Sequence, residues 1–224
     1  MQRVFVHGFT QTPATSWEPV TSLLPGGAQL PSVSAAPDFV NAAAALALGP
    51  AEYVGYSMGG RLCLQLALDQ PDVVERLVLV SASPGIADPD ARAARRNSDE
   101  LLAQSIEADG VRAFLERWLR QPLFASLPRD RAGIEDRERH ATVESLTHQL
   151  RVLGQGSQPS NWERLGELRM PVLLIAGELD AKYVTIAHRM ADAIRDARVE
   201  VLAGAGHACQ LEQPEAVAHL LASW

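Results

Sequence analysis

Val54-Gly55-Tyr56-Ser57-Met58-Gly59-Gly60-Arg61 decides how this 224-residue chain is read. The apolar run Ala51–Val54 before it reads as the end of a strand. Leu62-Cys63-Leu64-Gln65-Leu66-Ala67-Leu68 after it reads as a helix, closed by Pro71. A Gly-x-Ser-x-Gly run between strand and helix is a sharp turn that holds the serine hydroxyl out at the tip. Gly55 and Gly59 suit such a turn because side chains there would strike the facing backbone. The new helix aims its first amides at the same point and favours negative charge there.

Working outward, short apolar runs alternate with amphipathic ones. Arg3–His7, Arg76–Ser81, Val172–Ala176 and Arg198–Leu202 read as strands, and Ala28–Ser34 as an edge strand because it contains Pro31. Ser16–Leu24, capped by Ser16 or Thr15, Phe39–Leu48, capped by Asp38, Val184–Ile194 and Pro214–Ser223 read as helices. Strands alternating with helices predict a mostly parallel sheet of about six strands with helices on both faces. Between Ala87 and Gln158 no strand pattern occurs. Asp90–Asp109, Gly110–Gln121 and Asp130–Leu153 read as helices. So long an interval exceeds a plain crossover. It predicts a helical cap over 86–160, inserted in a core made of 1–85 and 161–224.

Composition narrows the classes. A net charge of −7 without a basic run argues against a nucleic-acid surface, and no apolar stretch is long enough to span a bilayer. The first residues read as a strand rather than as a secretion signal. Cys63 and Cys209 make neither a disulfide framework nor a metal set, and Cys63 fits a buried apolar helix position. These features predict a cytoplasmic protein without membrane insertion, metal or cofactor, a monomer or a small homo-oligomer.

The polar residues of interest follow strands, and in an open parallel sheet those positions converge on one edge, where ligands bind. Ser57, Asp180 and His207 occur in the order nucleophile, acid, histidine, the chain order of α/β-hydrolases. An imidazole can take the serine proton while a carboxylate behind it fixes the tautomer. Asp180 also suits a helix N-cap. His140, His148, His188 and His219 fall on predicted helices, and His7 ends the first strand, so His207 is the candidate base. An oxyanion site needs two amides: Met58, after the serine, and Phe9, after His7-Gly8.

Several segments carry a closer resemblance. Gly55–Arg61, Ser81-Ala82-Ser83-Pro84-Gly85, Arg95-Arg96-Asn97-Ser98-Asp99, Trp118 and Gln121-Pro122-Leu123-Phe124-Ala125-Ser126 resemble one α/β-hydrolase family. It is the 2-succinyl-6-hydroxy-2,4-cyclohexadiene-1-carboxylate synthases of menaquinone biosynthesis. The resemblance runs from Val4 to the C-terminus. It implies an α/β-hydrolase fold and a lyase that eliminates pyruvate from 2-succinyl-5-enolpyruvyl-6-hydroxy-3-cyclohexene-1-carboxylate. It further implies that Ser57, His207 and Asp180 act as the base, with the Phe9 and Met58 amides on an enolate-like oxygen. Tyr56 and Trp118 would line the pocket. Arg61, Arg95 and Arg139, or Arg137 in a neighbouring register, would hold the carboxylates of a small anionic substrate. Guanidinium forks match carboxylates in pairs.

The chain departs from that family at one end. It opens directly on the strand before His7-Gly8, so the usual first two strands are expected to be absent, and no Asp-x-Pro-Gly-x-Gly-x-Ser stretch lies between His7 and Ser57. Two other functions fit the same triad. One is a serine hydrolase of small carboxylic esters or of carbon–carbon bonds in ring-cleavage products. The other is a non-catalytic small-molecule receptor. The arginine set separates the lyase from the first, and the intact triad speaks against the second.

Overall fold

The computed structural model describes residues 2–33 and 35–224; Met1 and Ser34, the last residue of the expected second strand, lie outside the described residues. The chain runs β1 (Arg3–Val6), α1 (Pro13–Thr21), β2 (Ala28–Gln29), α2 (Phe39–Ala44), β3 (Ala51–Tyr56), α3 (Met58–Asp69) and β4 (Val74–Val80). It continues with α4 (Pro89–Trp118), α5 (Ile134–His140), α6 (Val143–Leu153), β5 (Val172–Gly177), α7 (Ala181–Ala191), β6 (Ala197–Leu202), α8 (Cys209–Glu212) and α9 (Pro214–Ser223). The six strands form one sheet, order β2-β1-β3-β4-β5-β6, and every pair is parallel.

Burial explains the apolar strands. β3 and β5 are buried at every residue, as central parallel strands covered on both faces must be. Alternate residues feed opposite cores. Leu77 and Leu79 pack with Phe39, Leu62, Leu66 and Met190. Val78 and Val80 pack with Phe5, Trp17, Val54 and Val217. Thus α2, α3 and α7 cover one face, and α1, α8 and α9 the other. A third cluster, Ala103, Ile106, Phe114, Leu115, Leu146 and Leu150, joins α4 to α6 in the helical insert between β4 and β5.

Several boundaries differ from the sequence reading. α1 begins at Pro13, not Ser16, because Thr12 caps it: its hydroxyl accepts from the Thr15 amide at 3.1 Å while the Thr15 hydroxyl accepts from the Thr12 amide at 2.9 Å. The single helix expected over 130–153 is two. α5 leaves helical geometry at Ala141, and Thr142 starts α6 with a second reciprocal cap to Ser145. The expected break before Gly110 is a kink inside α4, where Gly110 takes φ 80°. β2 shrinks to two residues. Among the described residues no helix is long and apolar enough to cross a membrane.

Candidate active site

The bend after β3 forces Ser57 to φ 49°, ψ −105°, which few non-glycine residues adopt; such a conformation costs on the order of 1–3 kcal/mol. Packing around the bend imposes it. A Cβ on Gly59 would lie 2.3 Å from the Val6 carbonyl oxygen, so β1 and α3 approach this closely only through glycine. The strained turn leaves Ser57 half-buried with its hydroxyl at the sheet edge.

Two other strand ends reach the same place. Ser57 Oγ donates to His207 Nε2 at 3.2 Å, and His207 Nδ1 donates to Asp180 Oδ2 at 2.6 Å. Asp180 does two jobs with two oxygens: Oδ1 accepts from the Tyr183 amide at 3.4 Å and caps α7, while Oδ2 orients the imidazole. The His207 ring packs 4.7 Å from Tyr183 and 5.5 Å from Tyr56, measured between centroids. Its loop is braced by Glu212, whose two oxygens accept from the Gly206 amide at 2.7 Å and the Ala208 amide at 3.1 Å. Nothing in the local sequence singled out Glu212, because its role depends on α8 folding back beside the loop.

Phe9 and Met58 line the same cavity as Ser57, Met58 as the first residue of α3 and Phe9 just after Gly8. A Cβ on Gly8 would lie 2.6 Å from the Tyr56 ring, so glycine is what lets this backbone close on β3. His7 is a buried structural group. Its Nδ1 donates to the Gly8 carbonyl at 2.9 Å and its Nε2 accepts from the Val33 amide at 3.2 Å, while burial lowers its pKa. His140, His188 and His219 are exposed and His148 is half-buried, none of them at the triad.

Ser57 and His207 open into a cavity of about 240 Å³ also lined by Tyr56, Trp118, Arg61, Arg95 and Arg137. Arg61 is buried. It donates to the Leu153 carbonyl at 2.8 Å and to Gln158 Oε1 at 3.2 Å, and burial lowers its pKa to about 10. Arg137 is also buried, with Nε on the Ala132 carbonyl at 2.7 Å and Nη1 on the Thr10 hydroxyl, and burial again lowers its pKa to about 10. Among the described residues neither guanidinium pairs directly with a carboxylate. Both are held by neutral oxygens in the wall of one cavity. Arg95 differs, since it is paired with Asp99 at 2.8 Å and with Gln155.

Arg139 does not belong with them. Its side chain is 67% exposed and bound to Asp136 at 2.6 Å. Arg137, two residues earlier on α5, points inward instead, because residues two apart on a helix face in opposed directions. The cavity wall also includes Lys182, Tyr183, Gln149 and Gln155, none of them anticipated from sequence. Lys182 and Tyr183 could have been found by extending the strand-end rule one turn past Asp180. Among the described residues no cluster of three His, Cys, Asp or Glu could hold a metal.

A parallel six-stranded sheet with a strained serine after one strand, and an acid and a histidine after two later strands, is the architecture of the α/β-hydrolases. The chain belongs to that family, whose sequence pattern matches residues 4–220. It is 39% identical over 173 residues to a Bacillus subtilis protein provisionally named a 2-succinyl-6-hydroxy-2,4-cyclohexadiene-1-carboxylate synthase; the match covers 75% of this chain and 63% of that protein's length. The structure of MenH from S. aureus superposes with a TM-score of 0.86 at 27% identity, covering 100% of this chain and 92% of that one. A thermophilic esterase from Thermogutta terrifontis, 22% identical with a TM-score of 0.76, shares the fold over 100% of this chain and 89% of its own.

Proposed function

We propose that this protein is a lyase that eliminates pyruvate from 2-succinyl-5-enolpyruvyl-6-hydroxy-3-cyclohexene-1-carboxylate, leaving 2-succinyl-6-hydroxy-2,4-cyclohexadiene-1-carboxylate. The observation that carries the reading is the pair of buried guanidiniums, Arg61 and Arg137, lining the same cavity as Ser57 without carboxylate partners. A desolvated cation held only by neutral oxygens is costly unless an anion completes it. A neutral ester supplies none, whereas this substrate carries three carboxylates. The names borne by the Bacillus subtilis and S. aureus relatives agree with the reading. Its division into a 1–85 plus 161–224 core and an 86–160 cap belongs to the same proposal, since the cavity draws walls from both.

The chemistry follows from the change in double bonds. A 3-ene becomes a 2,4-diene with loss of the group on C5, so a proton leaves C2 and the electrons shift through C3 and C4 to expel the enolpyruvyl oxygen. The C2 proton is acidic because the succinyl ketone beside it accepts the charge as an enolate. Ser57 is far too weak a base alone. Coupled to His207, itself oriented by Asp180, it can pass the proton to the imidazole. The Phe9 and Met58 amides would hold the enolate oxygen, a contribution of about 3–4 kcal/mol per donor in such sites. The departing enolate collects a proton and becomes pyruvate, so acid and base balance within one turnover. No metal or cofactor enters the scheme.

The test compares pyruvate release by wild type, Ser57→Ala and Arg61→Ala. Ser57→Ala should abolish release. Arg61→Ala should lower kcat/KM roughly ten- to a hundred-fold, the loss of one charge-assisted pair. A wild-type protein that releases no pyruvate but cleaves aryl esters rapidly, with Arg61→Ala cleaving them as well, would make it a serine esterase.

A further inference from the structure

Thr10 stands out on two independent counts. It takes φ 67°, a left-handed conformation in which a β-branched residue is a genuine outlier. Glycine or asparagine would fit the bend better. Its side chain is buried, and its hydroxyl accepts from Nη1 of Arg137, 127 residues away on α5. Glycine, which relaxes the backbone most fully, would forgo this contact, so the strained threonine is kept together with its hydrogen bond.

The neighbours give the contact a purpose. Thr10 directly follows Phe9, whose amide is the oxyanion donor in the proposed mechanism. The Phe9 ring is itself seated edge-on against Trp118 of the insert, 5.2 Å between centroids at 89°. The short segment carrying that amide is thus fixed to the helical insert by an aromatic contact and by the Thr10–Arg137 hydrogen bond. Arg137 reaches the cavity from the far end of the same bond.

We propose that Thr10 is a positioning residue. It ties the Phe9 amide to Arg137, so that a substrate carboxylate on Arg137 also fixes the oxyanion donor against the developing charge. The proposal rests on the lyase reading for its substrate and on the structure for its geometry. Binding at one end of the molecule's anionic ligand would then raise the rate of chemistry at the other, rather than affinity alone.

Thr10→Val removes the hydroxyl while keeping the branching and the shape, and Thr10→Ser keeps the hydroxyl. In Thr10→Val, kcat for pyruvate release should fall about tenfold or more, part of the ~10²–10³-fold that a missing oxyanion donor costs, with KM nearly unchanged. Thr10→Ser should restore it. Thr10→Gly relaxes the bend but also forgoes the hydrogen bond, so it should lose kcat in the same way as Thr10→Val. A second readout is independent of the ring substrate: phosphonylation of Ser57 by a neutral fluorophosphonate, which needs the oxyanion donors but no carboxylate site. It should slow in Thr10→Val and recover in Thr10→Ser. Wild-type kcat and phosphonylation in Thr10→Val, a loss confined to KM, or no rescue by serine would overturn the proposal. If wild type releases no pyruvate, the lyase reading falls, and the phosphonylation rates of the same variants still decide the role of Thr10.

Discussion

Replacing Arg61 by methionine should leave the fold about as stable as before and yet cripple anion binding. Burial lowers its pKa to about 10, which corresponds to a penalty on the order of 3 kcal/mol for burying the charge, at ~1.4 kcal/mol per tenfold. Because the folded value lies below the unfolded one, that penalty is fully present below pH about 10 and fades as the pH rises above it. Methionine removes it. The substitution also strands two oxygens, Leu153 O and Gln158 Oε1, at about 1–1.5 kcal/mol each. The terms nearly cancel, so the thermal midpoint should move by no more than about 4 °C, given ~2–4 °C per kcal/mol in a domain of this size. Binding is not balanced in this way. A ligand carboxylate loses a charge-assisted pair worth about 1.5–3 kcal/mol, roughly ten- to a hundred-fold in Kd. Thermal denaturation and calorimetric titration with 2-succinylbenzoate, an aromatic dicarboxylate with the product's carbon skeleton, measure the two effects on one sample. A midpoint lowered by well over 10 °C with unchanged affinity would show that Arg61 is a structural cation, and the argument from uncompensated charge would fail.

Three further outcomes follow from the geometry. Ser57→Gly and Ser57→Ala should both be inactive, but only glycine relieves φ 49°, so chemical denaturation should find Ser57→Gly about 1–2 kcal/mol more stable than Ser57→Ala. Arg139→Ala should keep wild-type activity because its guanidinium is exposed and bound to Asp136, while Arg137→Ala should lose at least tenfold in kcat/KM in the pyruvate assay, as expected for a charge-assisted pair. The pKa of His7 is lowered in the folded protein, so the unfolded chain takes up its proton first and stability should drop as the pH falls through about 6.5, by up to ~1.4 kcal/mol per pH unit. Denaturation midpoints across pH 5–8 should show the drop, and a substitution His7→Gln should flatten it.

The parts of this molecule that could be read in advance are those where a local pattern has one physical solution. Continuous apolar runs such as Leu77–Val80 and Val172–Ala176 can only be strands covered on both faces. A serine between Gly55 and Gly59 after such a run has a single backbone geometry available. The order of the strands then brings Asp180 and His207 beside Ser57. What could not be read depended on contacts distant in sequence. Arg137 and Arg139 differ only by a turn angle on α5, and nothing within that helix says which faces the cavity until α5 is docked. Thr10 looks like an ordinary loop residue until its partner arrives from 127 positions away. Glu212 looks like a surface acid until α8 folds under the His207 loop. The start of α1 is not legible in the sequence because its cap is a threonine before a proline, Thr12-Pro13, and the apolar periodicity starts later than the hydrogen bonding.

The most direct measurement is to supply the purified protein with 2-succinyl-5-enolpyruvyl-6-hydroxy-3-cyclohexene-1-carboxylate and to follow pyruvate and the absorbance of the conjugated diene in one reaction. Elimination through C2 predicts that the two rise together in equal amounts, and that both stop in Ser57→Ala. Pyruvate appearing without the diene would mean that water cleaves the enol ether, and the account of Ser57, Phe9 and Met58 as an enolate-forming site would be wrong.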